Sequence, residues 1–405
     1  MGRELGVGLR LQKEGLAVKR KLICLLHLFY FAGLLSQAKI VGLVPVRNEA
    51  QMIVPCLKAL AMYTDAIVVL DDASEDGTVA AVQALQKECH IERIIEKKVW
   101  YRDEPGDRNL LLQAGREIGG THFIVIDADE MFTANLLKDN FLRNKVLALQ
   151  SGERLQLTLI NLWRSVNQYR YDYSVWSGAG IVIGFCDDGI CSYKSGFLHT
   201  SRTPSALIGA IKTVVVDDHD FSFLNNCLDK YGYPIIRRFI GGYDGKYDRN
   251  NIQLQRYFQD QLNNYQVPLA VAARRVRFDG LFWPSSGHSR IGCYQHDFTA
   301  GLMHFQFVNW DNLLSKQAWY RCLEKIRDPK IDVKQINKMY GESKDEKLRR
   351  CLTCPQEWFA GYGFFDKTIY EQNSSWQKRQ VQAWFKEYGQ EFFKDLDIWD
   401  VSWNA

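Results

Sequence analysis

Between residues 40 and 130, short uninterrupted apolar runs alternate with helix-patterned sequence, and this alternation limits the fold more than any other feature of the chain. The runs at 40–44, 66–70 and 122–126 are rich in Val, Ile and Leu and show no polar alternation. Such runs belong to strands buried on both faces. A further strand is expected at 93–97. Asn48 and Glu49 open a segment with Ile53, Leu57, Leu60 and Ala61 at helical spacing. Residues 78–89 and 108–118 also read as helices, the second closed by Gly119 and Gly120. Strands alternating with helices give right-handed crossovers and a parallel sheet covered on both faces. The expected fold class is therefore α/β, with ligands bound beyond the carboxyl ends of the strands.

Two of these runs end in acidic residues, Asp71-Asp72 and Asp127-Ala128-Asp129. Carboxylates gathered at one sheet edge repel unless something positive lies between them, and a metal ion or a cationic side chain is the simplest neutraliser. A hard divalent cation takes one or two carboxylates and shares its remaining positions with phosphate oxygens and water. Asp71 and Asp72 can accept hydrogen bonds from a base N–H and from ribose hydroxyls, which discriminates because those acceptors would otherwise go unpaired. Residues 74–78 (Ser-Glu-Asp-Gly-Thr) also read as a helix-capping turn.

Three blocks carry a family resemblance: Val-Pro-Val-Arg-Asn-Glu at 44–49, Val-Leu-Asp-Asp-Ala-Ser-Glu-Asp-Gly-Thr at 69–78, and Ile-Asp-Ala-Asp-Glu at 126–130. In this order and spacing they resemble the signature blocks of family 2 glycosyltransferases over about residues 39–137. The flanks at 198–202 and 304–310 are similar to a bacterial branch of that family. The resemblance implies a GT-A fold, a Rossmann-like mixed and mainly parallel sheet between helices, followed by a helical C-terminal region. It also implies a nucleotide-diphospho-sugar donor, a divalent cation (Mg²⁺ or Mn²⁺) and inversion at the anomeric carbon. By the same resemblance Pro45, Val46 and Glu49 line the nucleotide, Asp72 and less directly Asp71 hold the base, and Arg108 reaches the base or phosphates. Asp127 falls at the ribose contact, beside the metal, and Asp129 at the metal ligand. His304 or His199 would complete the metal shell.

Inversion needs a general base to take the proton of the acceptor hydroxyl. Asp188 with Asp187, after an expected strand at 181–185, is the first candidate, and Asp172 the second. A surface turn through Gly189 accounts for the acidic pair equally well. The Gln-x-x-Arg-Trp signature of processive synthases and multiple membrane spans are both absent from the sequence, so a single transfer to a carbohydrate or lipid-linked acceptor in glycan, polysaccharide or glycolipid synthesis is favoured. A sugar-nucleotide pyrophosphorylase fits poorly, because the first loop has no glycines. The remaining alternative is an inactive GT-A-fold protein that binds carbohydrate or assists assembly.

The rest of the chain is less patterned. Strands are expected at 155–162 and 181–185, an insertion at 205–298 with a helix at 250–264 and a strand at 275–282, and helices at 310–326, 345–352 and 375–393. The expected organisation is an extension at 1–38, a nucleotide-sugar core at 39–204, the insertion at 205–298 and a mainly helical region at 299–405. A formal charge of +4 makes no demand for nucleic acid. Cys351 and Cys354 form a lone Cys-x-x-Cys without a second pair, so reduced structural thiols are expected. Trp163, Trp176 and Trp310 can stack on sugar or base, with core packing the plainer expectation. Basic residues precede an apolar run at 22–35, too short for an unstrained membrane span. It suits a peripheral anchor on a cytoplasmic enzyme, or a signal-anchor in a Golgi-type lumen.

Overall fold

The computed structural model describes residues 38–170, 179–194, 200–204, 206–207, 209–213, 290–294, 300–341, 344, 349, 351–371 and 376–403. Its centre is a ten-stranded sheet. Strands β1 (Ile40–Val46), β2 (Ala66–Asp71), β3 (Ile91–Glu96) and β4 (His122–Val125) run parallel in the order β3-β2-β1-β4. Beyond β4 the sheet turns mixed. β8 (Ala179–Cys186) lies antiparallel to β4, and β6 (Arg154–Asn161) antiparallel to β8. β11 (Leu302–His304) follows parallel to β6, with the short β5 (Glu130–Phe132) antiparallel at the end.

The apolar runs are central for a physical reason. Successive side chains of a strand point to opposite faces, so a run without polar alternation needs cover on both. Ile40, Val44, Ile67, Val69 and Ile124 pack on one face with helix α1 (Ile53–Ala61). Val41, Leu43, Val68, Leu70, Phe123 and Val125 pack on the other with Leu111 and Leu112 of helix α3 (Glu104–Glu117). Helix α2 (Thr78–Ala84) ends five residues earlier than the 78–89 expected, and turns carry the chain on to β3. The insertion of β11 needs close backbone approach. A Cβ on Gly301 would stand 2.3 Å from the carbonyl oxygen of Thr158 in β6.

Helices α5 (Trp310–Arg327), α6 (Val333–Gly341) and α7 (Trp376–Tyr388) give the later part its helical character, as expected. The expected helix at 345–352 is corrected at its end: β12 (Cys351–Thr353) pairs antiparallel with β7 (Gln168–Arg170). Cys351 and Cys354 are reduced thiols, and Cys354 is buried. Trp163 is a core residue stacked on Phe307 at 4.7 Å, and Trp310 tilts against it. Of the expected insertion, the described ends β9 (Ile211–Thr213) and β10 (Arg290–Tyr294) pair with β6 and β8. The helix at 250–264, the strand at 275–282, Trp176 and the apolar run at 22–35 lie outside the described residues. Among the described residues, no helix is long and apolar enough to cross a membrane.

Candidate active site

Two loops at the carboxyl ends of β1 and β2 are knitted together. The backbone N–H of Asn48 donates to Ser74 Oγ at 2.8 Å, that of Glu49 to Thr78 Oγ1 at 2.9 Å, and that of Glu75 to Asn48 Oδ1 at 2.7 Å. Asn48 and Ala73 both adopt left-handed backbone, φ 52° and 55°. For Ala73 that conformation costs about 1 kcal/mol or more, and the surrounding bonds hold it there. Arg47 closes the junction by donating to the carbonyls of Asp72 and Ala73. Its guanidinium lies 4.7 Å from the Trp100 ring and 5.4 Å from that of Trp376.

The two aspartates after β2 separate in role. Asp71 is buried and turns inward, where Oδ2 accepts from the Ser74 N–H at 2.9 Å. It braces the turn and is not among the residues that line the cavity, unlike Asp72. Asp72 lines the cavity and sits 2.7 Å from Lys97 Nζ, which also reaches Asp107 at 2.7 Å. Burial opposes the Lys97 charge, but the two carboxylates outweigh it and raise its pKa.

The acidic tripeptide follows β4 at the same edge. Asp127 is held by two arginines: Arg202 Nη2 donates to Oδ2 at 2.9 Å, and Arg108 Nη2 stands 3.6 Å from Oδ1. Arg202 also grips buried Glu130 through contacts of 2.6 and 2.7 Å, while Glu130 accepts from the Asp127 N–H at 3.0 Å. Arg108 is anchored to Glu104 at 2.8 Å, one helical turn earlier. Burial works against ionising Asp127, but Arg202 and Arg108 prevail and hold its carboxyl below the ordinary range.

Asp129 faces a different set. Its Oδ2 lies 3.6 Å from His304 Nε2 and 3.5 Å from Lys316 Nζ, a residue of α5. His304 Nδ1 meets Asn161 Oδ1 at 2.9 Å. A carboxamide oxygen only accepts, so Nδ1 carries the hydrogen and Nε2 turns a lone pair towards Asp129. Two acceptors facing each other suit a shared cation, and the pair fits a hard divalent ion completed by phosphate and water. No group of three or more His, Cys, Asp or Glu converges on a metal position among the described residues. Burial opposes the Asp129 charge, yet Lys316 holds its carboxyl far below the usual range. Glu49 shows the reverse: burial first, then the neighbouring Asp129, pushes its carboxyl up to about 8.

These groups surround a cavity of about 340 Å³. Pro45, Val46, Glu49, Asp72, Arg108, Asp127, Asp129 and His304 all line it. Among the lining residues that the sequence had not singled out are Arg202, Lys316, Trp100 and Tyr320. Arg202 fell within a flank already resembling the family, whereas Lys316 carries no local signal, being one lysine on a long helix. A smaller cavity of about 70 Å³ adjoins it and shares Glu49, Asp129, Gln306 and Lys316. Gln51, Asn309, Asn312 and Gln377 give its walls a carboxamide character.

The proposed base pair is not part of this arrangement. β8 runs antiparallel to β4, with Cys186 level with His122 at the start of β4. Asp187 and Asp188 therefore emerge at the amino edge of β4, opposite the tripeptide. Asp187 is bound by Arg116 through two contacts of 2.7 Å. Asp188 Oδ1 accepts from the N–H groups of Ile190 and Cys191 at 3.0 and 2.8 Å, an Asx turn through Gly189. The sulfhydryl of Cys191, above all, keeps the Asp188 carboxyl below its ordinary value. Asp172 and His199 lie outside the described residues.

A mixed sheet whose parallel strands deliver Asp72 and the Asp127-Ala128-Asp129 turn to one charged cavity, flanked by helices, has the architecture of the GT-A fold. Residues 43–140 match the family model described as glycosyl transferase family 2, so that stretch is a glycosyltransferase family 2 domain. Among solved structures, S. aureus TarS 1–349 shares 14% identity over 59% of this chain and 69% of its own, with a TM-score of 0.28. The same protein in complex with UDP shares 15% over 64% and 98%, TM-score 0.27. Glucosyl-3-phosphoglycerate synthase from Mycobacterium tuberculosis, in complex with Mn²⁺, UDP and glucosyl-3-phosphoglycerate, shares 19% over 31% and 45%, TM-score 0.22. No curated protein matches the chain.

Proposed function

We propose that this glycosyltransferase moves a sugar from a nucleotide-diphospho-sugar to a carbohydrate hydroxyl by a single inverting displacement, with a divalent cation at Asp129 and His304. The observation that carries this reading is the meeting of Asp129, His304 and Lys316 on one wall of the cavity that Asp72 and Arg108 line elsewhere. Asp72 offers a fixed acceptor to a base N–H, held in place by Lys97. Asp127, clamped by Arg202 and Arg108, keeps a carboxylate oriented for ribose hydroxyls. Fixed acceptors discriminate because a ligand lacking the matching donor leaves them unpaired. When bound, the divalent cation supplies charge neutralisation for the diphosphate leaving group. The smaller carboxamide-walled cavity, across Asp129 from the nucleotide, suits the hydroxyls of an uncharged sugar acceptor.

Titration calorimetry with UDP and GDP, with and without Mn²⁺, tests the donor half. Metal-enhanced binding of one nucleotide is expected. Asp129→Ala should remove that enhancement and lower transfer by about 10²–10³-fold, the usual scale for losing one electrostatic stabiliser. Full activity in that variant would sink the metal assignment.

A further inference from the structure

The cations around the acidic tripeptide are held in two different ways. Arg202 grips its carboxylates through contacts of 2.6–2.9 Å, as a structural ion pair does. Lys316 touches Asp129 only at 3.5 Å and Gln306 only at 3.4 Å. An ammonium has three donors, and contacts at this length lie at the outer limit of hydrogen bonding. Its backbone is nonetheless fixed. Asn309 caps α5 by accepting from the Asn312 N–H at 3.1 Å, and Ala318, Trp319, Cys322 and Leu323 bury the helix against α7 and the segment after it. Lys316 thus combines a rigid base with a loosely held head that faces both cavities.

The oxygen it approaches is Asp129 Oδ2, the same atom that faces His304. Two cations on one carboxylate oxygen repel each other, which weakens the hold of each. A divalent ion there competes with the ammonium for Asp129, and a donor diphosphate in the same cavity would offer the ammonium another anion. We propose that Lys316 is a resident counter-charge for that diphosphate. Without a divalent cation it bridges Asp129 and the phosphates. With one bound, it leaves Asp129 and stays on the phosphates. The inference rests on the nucleotide-sugar reading above and adds that the site binds nucleoside diphosphate both with and without metal.

Calorimetry of UDP and GDP against the full chain, in EDTA and in Mn²⁺, tests it directly. The unaltered protein should bind one of them in EDTA, more weakly than in Mn²⁺. Lys316→Met should lose about tenfold or more of the EDTA affinity, the scale of one charged hydrogen bond, and Lys316→Arg should restore most of it. Mn²⁺ alone, followed by electron paramagnetic resonance, should bind Lys316→Met more tightly than the parent, because Asp129 is no longer neutralised. Binding that strictly requires Mn²⁺ in the unaltered protein overturns the proposal without any variant. So does a Lys316→Met protein with unchanged EDTA affinity, or with weaker Mn²⁺ binding. Failure of both nucleotides to bind under either condition removes the nucleotide-sugar reading itself, and this inference with it.

Discussion

Two acidic pairs lie at opposite edges of one sheet, and they do opposite things. At the carboxyl edge of β4, Asp127 and Asp129 stand in a cavity among side chains from separate parts of the chain: the cations Arg108, Arg202 and Lys316, and the imidazole of His304. At the amino edge, Asp187 and Asp188 are saturated by their immediate surroundings, one by Arg116 and one by its own turn. Composition cannot separate the two pairs. Strand direction does, because β8 runs against β4 and carries its last residues away from the ligand edge. An acidic pair thus signals a site only when the strand before it points the right way.

Substitutions at both edges can break or sharpen this contrast. The largest effect is expected at Arg202. Arg202→Met leaves Glu130 charged and buried beside Asp127, and removing one partner of a buried ion pair costs about 3–5 kcal/mol. Urea denaturation should show that loss, and calorimetry should show weakened nucleotide binding. A loss under about 1 kcal/mol would mean the cluster does not hold the edge together. Asp187→Ala should cost less, about 1–2 kcal/mol, since Arg116 is partly solvated and keeps the Cys191 carbonyl as an acceptor. Nucleotide affinity should not move; if it does, the two edges are coupled. The smallest effect belongs to Asp188→Asn. Asparagine can form the same Asx turn, so stability should change by no more than about 0.5 kcal/mol and turnover by less than about twofold. A collapse in turnover would restore Asp188 as the base.

The parallel half of the sheet was legible because its strands are covered on both faces and so read as unbroken apolar runs. Strand β3, at the edge, was placed two residues late, since Ile91 alone of its residues is fully buried. Helix α3 starts at Glu104 and not at 108, because Pro105 reads as a breaker in sequence yet fits the first turn, where no N–H is needed. Asp103 caps it by accepting from the Gly106 N–H. The cavity aspartates Asp72, Asp127 and Asp129 could be found because they lie just beyond recognisable strands. Lys316 could not, because nothing near it in sequence encodes what lies opposite it in space; Arg202 lay in the family-like flank at 198–202, which does not tell what it pairs with. The expected base pair, Asp187 and Asp188, lies away from the cavity because of strand direction. Periodicity marks a strand but says nothing about which way it runs.

The placement of β11 has a consequence for how the chain is made. Its three residues slot between β6 and β5, partners that precede it by about 140 and 170 residues. Until that short segment is synthesised, β5 and β6 lack the neighbour that joins them, and open strand edges invite pairing with other chains. The same late segment brings His304, and Lys316 soon after. A nascent or truncated chain ending before residue 300 would therefore lack the seam of its sheet and half of its charge balance together, so completing the fold and arming the site are one event.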